Sequence, residues 1–85
     1  MQMKIAPMTL EDLDEVLEIE VQAFTTPWSR NSFLYELLEN ERAIYLTAKN
    51  EFDRVMGYVG MWVVFDEGHI TNLAIHPQFR RCGVA

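Results

Sequence analysis

His69 to Ala85 reads HITNLAIHPQFRRCGVA. It opens as a short apolar strand, His69 to Ile75, and stops at Pro77, which has no N–H for a ladder and a fixed φ. It then offers two arginines, Arg80 and Arg81, and a glycine, Gly83, where a strand would hand over to a helix. An anion-binding turn is built from cationic side chains, a residue with no side chain to obstruct the backbone, and the N–H groups of a helix start. The first two are present. On spacing alone, Arg80 to Ala85 is either such a cradle or a surface turn with solvated arginines. A strand that runs into a helix-initiating turn is not how a domain closes, so the domain is expected to continue past Ala85.

Upstream of this stretch the pattern is regular. Val55 to Phe65 is a long run rich in β-branched and aromatic residues, expected to be a strand buried on much of both faces, with Gly57 and Gly60 marking bulges or close approach. Asp66, Glu67 and Gly68 are expected to turn it into the His69 strand, antiparallel to it. Ala43 to Lys49 alternates, with Ile44, Leu46 and Ala48 on one side and Tyr45 and Thr47 on the other. Two helices precede these strands. Leu10, Leu13, Val16, Leu17 and Phe24 recur at helical spacing opposite Glu11, Asp14, Glu15 and Glu18, behind a Thr9 cap with Asp12 three positions on. Thr25, Thr26 and Pro27 break that helix, Ser29 caps the next, and Phe33, Leu34, Leu37 and Leu38 give the second helix its apolar stripe. Met3 to Ala6 is a short extended segment closed by Pro7, an edge or a strand end. The fold class is therefore α+β, in the order β-α-α-β-β-β, with a three-stranded antiparallel meander behind two helices.

Composition bounds what such a chain can be. At 85 residues it is one domain and no more, burying around 60% of its unfolded surface. Hydrophobic residues make up 49% and charged residues 24%, and mean hydropathy is −0.06, the profile of an ordinary globular protein. A net charge of −6 and a pI near 4.7 argue against a nucleic-acid surface and, more weakly, for a basic partner, although surplus carboxylates also serve solubility. The single cysteine, Cys82, excludes an intrachain disulfide. No apolar run reaches membrane-spanning length and the beginning does not resemble a signal peptide, so the expected compartment is the cytoplasm.

Other chemistry-bearing residues have plain readings beside the functional ones. His69 and His76 flank the last strand without a third ligand at metal spacing, so no metal site is expected. Cys82 sits where positive charge and a helix start would lower a thiol pKa, but no partner base is fixed by the sequence, and it reads as a lining residue. Asp66 and Glu67 are either solvated hairpin residues or a pair able to hold a water. Phe24, Pro27, Trp28 and Ser29 form an aromatic loop that either packs or shapes a pocket.

Taken together, Asn72-Leu73-Ala74-Ile75-His76-Pro77 followed by Arg80-Arg81-Cys82-Gly83-Val84-Ala85 resembles the acetyl-CoA motif of the GNAT N-acetyltransferases: Gln or Arg, two residues, Gly, one residue, then Gly or Ala. Phe24-Thr25-Thr26-Pro27-Trp28-Ser29, with Phe33 four residues on, is similar to the F-x-x-P-W-S segment of the RimI-type ribosomal-protein alanine N-acetyltransferases. Two separated motifs in the right order are more specific than either alone.

The resemblance implies that residues 1–85 are the N-terminal part of a single GNAT domain whose later elements lie beyond them. It implies acetyl-CoA as co-substrate, with Leu73, Ala74 and Ile75 presenting backbone groups to the pantetheine arm. Arg80 would begin the motif, and Arg81, Cys82, Gly83, Val84 and Ala85 would wrap the pyrophosphate. Phe24 and Trp28 would shape the acceptor side, the acceptor being a protein N-terminus, alanine of a ribosomal protein, with no nucleic acid or membrane contacted directly. The family's general base and acid lie downstream of the motif, so no catalytic residue carries over and the 85 residues alone are expected to be inactive. The competing readings are a non-catalytic α+β interaction module and a GNAT enzyme acting on another amine.

Overall fold

The computed structural model describes residues 3–79. Four strands and two helices follow the expected order: β1 (Lys4–Pro7), α1 (Leu13–Ala23), α2 (Arg30–Leu38), β2 (Ala43–Lys49), β3 (Val55–Val64) and β4 (Glu67–Ile75), with single 3-10 turns at Leu10–Asp12 and Pro77–Phe79. The strands form one antiparallel sheet in the order β1-β2-β3-β4. The meander thus has four strands where three were expected. β1 joins it along β2, from Lys4 opposite Lys49 to Pro7 opposite Leu46, at an outer edge where a proline costs no ladder bond.

Both helices lie on one face of the sheet. Leu13, Val16 and Ile19 of α1 and Phe33 of α2 pack with Met8, Tyr45, Val55, Tyr58 and Ala74 into a single core. The alternation of β2 is as expected, Tyr45 and Thr47 being the pair turned to the helices. Among the described residues the opposite face carries no helix. There Ile5, Leu46, Val59 and Leu73 line a shallow apolar groove of about 260 Å³. For the same reason the expectation of two-sided burial in β3 holds only for its first half: Val55 to Tyr58 are buried, whereas Met61, Val63 and Val64 are half-buried and Trp62 is exposed.

Three local expectations are corrected. Leu10 is exposed because it sits in the 3-10 turn that precedes α1. Leu38 is also exposed, because the inner stripe of α2 runs from Phe33 to Glu36. The hairpin turn comprises Phe65 and Asp66, since pairing continues to Val64 opposite Glu67. Phe65 accordingly adopts a left-handed φ of 56°, as the tight two-residue turn requires.

A buried ion pair ties the entry of α1 to the end of β2. Asp12 Oδ2 accepts the Thr9 backbone N–H at 2.9 Å, one arm of the capping box expected from the sequence, while Oδ1 lies 2.8 Å from Lys49 Nζ. Burial pushes the Asp12 carboxyl up, but the Lys49 ammonium and the Thr9 N–H outweigh it, leaving the pKa below the usual 3.8. Lys49 is correspondingly raised above 10.5 by its bond to Asp12. The Asp12 contribution is therefore complete at neutral pH and is lost as pH falls below about 4. The Lys49 contribution is complete at neutral pH and is lost only in strong alkali. Asp12→Asn is expected to cost about 2 kcal/mol, less than a fully sequestered pair because Lys49 retains Asp53 nearby, and to flatten the acid limb of stability. Urea midpoints at pH 7 and pH 3 check this: an equal loss at both would contradict it.

Candidate active site

The segment between the helices is built to hold one aromatic side chain. α1 ends at Ala23 and Phe24 turns extended, Pro27 prevents helix from resuming early, and Ser29 Oγ accepts the Ser32 N–H at 3.2 Å to start α2. The Trp28 backbone N–H donates to Glu20 Oε2 at 2.8 Å, and the other oxygen of that carboxylate accepts the Tyr58 hydroxyl. Glu20 is 1% exposed, so the loop is pinned to β3 from inside the core. The Trp28 ring then rests on Phe33 and Tyr45, at centroid distances of 5.3 and 6.4 Å.

A second buried carboxylate organises the neighbouring surface. Glu36 accepts the Tyr45 hydroxyl at 3.0 Å and the Trp62 indole N–H on Oε1, and the Asn40 amide at 3.0 Å on Oε2. Tyr45 Oη also lies 3.2 Å from Thr71 Oγ1. Burial first, and then Glu36, raise the Tyr45 pKa to about 12, and burial with Glu20 raises that of Tyr58. At neutral pH both phenols are therefore hydrogen-bond donors and neither is a base. Trp28, Asn31, Ser32, Tyr35, Glu36 and Trp62 line a shallow, open cleft of about 410 Å³ over this network.

Thr71 comes within reach of Tyr45 because β4 bulges. Gly60 pairs with Asn72 but Met61 pairs with Ile70, which leaves Thr71 as the extra residue. Bulges of this kind re-aim side chains beside functional sites. Glycine at position 60 is a packing requirement, as a Cβ there would lie 2.2 Å from the Tyr45 ring. Next to the bulge, Asn72 is 4% exposed and its Oδ1 has no hydrogen-bond partner among the described residues.

Trp28 lines the cleft while its ring also packs on the core, whereas Phe24 is exposed at the end of α1 and is not among the lining residues. Leu73 is exposed, Ile75 half-buried, and Ala74 has its side chain in the core. Their strand is one of the two outer strands of the described sheet, at the edge opposite β1. Arg80, Arg81, Cys82, Gly83, Val84 and Ala85 lie outside the described residues. His69 and His76 sit at opposite ends of β4, near Glu67 (3.5 Å) and Glu18 (3.7 Å) respectively. Asp66 and Glu67 are exposed at the hairpin. Sequence reasoning passed over Glu20, Glu36, Tyr45, Trp62 and Thr71. The available signal was a carboxylate on each apolar stripe, Glu20 four residues after Val16 and Glu36 three after Phe33.

Among the described residues, no helix is long and apolar enough to cross a membrane. Residues 13–85 match the model of the acetyltransferase (GNAT) family. A Bacillus subtilis protein carried as a candidate ribosomal protein bS18-alanine N-acetyltransferase is 49% identical over 73 residues, 86% of this chain and 48% of that protein. The ribosomal protein bS18-alanine N-acetyltransferase of Salmonella typhimurium is 32% identical over 80 residues, 94% of this chain and 52% of its own length. The chain thus spans about half the length of the curated relatives it matches. Among solved structures, the ribosomal-protein-S18-alanine N-acetyltransferase of Escherichia coli superposes with a TM-score of 0.81 at 26% identity, covering 96% of this chain and 51% of that one. The PaiA N-acetyltransferase of Thermoplasma acidophilum, solved in complex with coenzyme A, gives the same TM-score at 14% identity, with 99% and 65% covered, a likeness of fold alone. Helix pair, meander and family match agree, and the chain belongs to the GNAT acetyltransferases.

Proposed function

We propose that this chain is the N-terminal part of an enzyme that transfers acetyl from acetyl-CoA to the α-amino group of a protein N-terminus, alanine of a ribosomal protein, in the cytoplasm. The observation that carries the reading is the relationship just described: proteins bearing that activity in their names match nearly the whole of this chain, at up to 49% identity.

The described residues fit the co-substrate. The outer edge of β4 offers strand-like pairing to the amides of a pantetheine arm, and the orphaned Asn72 Oδ1 offers an acceptor beside the bulge. In this reading Leu73, Ala74 and Ile75 hold the arm through their backbone, and Arg80, Arg81, Cys82, Gly83, Val84 and Ala85 hold the pyrophosphate. Acetyl-CoA would supply an acetyl thioester, whose carbonyl carbon bonds to the amine nitrogen while the C–S bond breaks, the nitrogen giving up one proton and the departing thiolate taking one up. A backbone N–H of the Leu73 to Ile75 segment donates to the developing oxyanion. Trp28 and the cleft beside it position the acceptor, and positioning is the larger part of the task because an α-amine of pKa about 7.7 to 8.0 needs little help to lose its proton.

Incubation of the whole protein with acetyl-CoA and an alanine-initiated peptide tests this, with mass spectrometry locating the product. The expected product carries one acetyl group on the α-nitrogen, formed at a rate that rises with pH and levels off above about pH 8. Acetylation confined to lysine side chains or small amines, or no transfer at all, would overturn it.

A further inference from the structure

Glu36 is as buried as Asp12, at 5% against 4% exposed, yet the two are treated differently. Asp12 has the Lys49 ammonium at 2.8 Å. Among the described residues no cation pairs with Glu36, and its three donors, from Tyr45, Trp62 and Asn40, are all neutral. A carboxylate offers about four acceptor positions, so its hydrogen bonding is nearly complete while its charge is not compensated. Glu20 shares that condition inside the core, whereas Glu36 also lines an open cleft, where a cation can approach it.

The open side of the site suits one. Trp62 and Tyr35 are 40% and 60% exposed where they line the cleft, and Trp28 is half-buried there. Aromatic faces attract cations through their quadrupole. The Trp62 ring does so more strongly than an isolated indole, because its N–H is given to a carboxylate and the negative charge sits beside the ring.

The reacting amine is the wrong cation for this place. A carboxylate stabilises the protonated form, and a protonated amine has no lone pair with which to attack. The cleft therefore matches a group that stays charged throughout the reaction. We propose that Trp28, Tyr35, Glu36 and Trp62 form a subsite for a lysine or arginine side chain of the acceptor polypeptide, close to its N-terminus and separate from the reacting amine. The net charge of −6 over these 85 residues favours the approach of basic acceptors. The subsite deepens the proposed function and rests on its reading of the acceptor as a polypeptide.

The test pairs two alanine-initiated peptides that differ only in lysine or norleucine within the first four residues, assayed with the whole protein. The cationic peptide is expected to show a KM about tenfold lower with similar kcat, and Glu36→Gln to shrink the difference to about twofold or less. Trp62→Phe, at a half-exposed position, is expected to shrink it in part. An N-terminally acetylated lysine peptide has no α-amine to accept acetyl, and its salt-sensitive quenching of tryptophan fluorescence, measured without acetyl-CoA, reads the subsite alone. Equal KM values for the two peptides with the unmodified protein, or no binding of the acetylated peptide, would overturn the subsite whether or not the variants fold. Binding of the acetylated peptide by a protein that transfers acetyl to no peptide would sustain the subsite and remove the transferase reading.

Discussion

Phe33→Ala is expected to cost about 4 kcal/mol, a large fraction of the stability of a typical domain. Phe33 is fully buried, and its ring meets Trp28 at 5.3 Å, Tyr45 at 6.2 Å and Tyr58 at 6.0 Å, the last two edge-on. It is the α2 side chain on which the loop, β2 and β3 converge. Removing it leaves a cavity that three large rings cannot fill, because two of them are tethered by their hydroxyls to Glu36 and Glu20. Phe33→Leu, which keeps most of the volume, is expected to cost about 1 to 2 kcal/mol. Urea denaturation followed by far-UV circular dichroism reads both, and an alanine variant within about 1 kcal/mol of the parent would show that the ring is not central to the core.

The elements around Phe33 were legible in the sequence because their signals are local. The Ser29 cap, the break at Pro27, the alternation of Tyr45 and Thr47, and the close approach at Gly60 each depend on a few adjacent residues, and each appears in the structure. The edge position of β1 was legible from Pro7, but its partner was not. Its pairing with β2 spans about forty residues of chain, and nothing in Lys4 to Pro7 names that partner. The buried carboxylates were missed for a related reason. A glutamate on a helix reads as solvated unless its donors are known, and those of Glu20 and Glu36 come from Tyr58, Tyr45 and Trp62, far along the chain on the sheet. The same non-local geometry separates Trp28 from Phe24. Both belong to one motif, yet only Trp28 is held against β3 and turned into the cleft.

That hold is what Glu20→Ala removes, and the variant is expected to lose about 3 kcal/mol. Two buried donors, the Tyr58 hydroxyl and the Trp28 backbone N–H, would be left without acceptors, each costing about 1 to 3 kcal/mol. Part of that is offset, because a carboxylate that is 1% exposed and has no cation beside it among the described residues no longer has to be desolvated. Loss of the Trp28 anchor also has a consequence that simple destabilisation lacks. The loop between the helices should open locally while the sheet persists, so the Trp28 amide should exchange with solvent much faster than the amides of β3 in the same variant. Glu20→Gln retains one oxygen and is expected to lose about half as much, leaving either Tyr58 or Trp28 bonded. In the whole protein the acceptor KM should rise while the affinity for acetyl-CoA, assigned to β4 and the residues after it, stays near that of the parent. Hydrogen exchange decides the matter: if the Trp28 amide and the β3 amides lose protection in equal measure in Glu20→Ala, then Glu20 is an ordinary core residue and not the anchor of the acceptor loop.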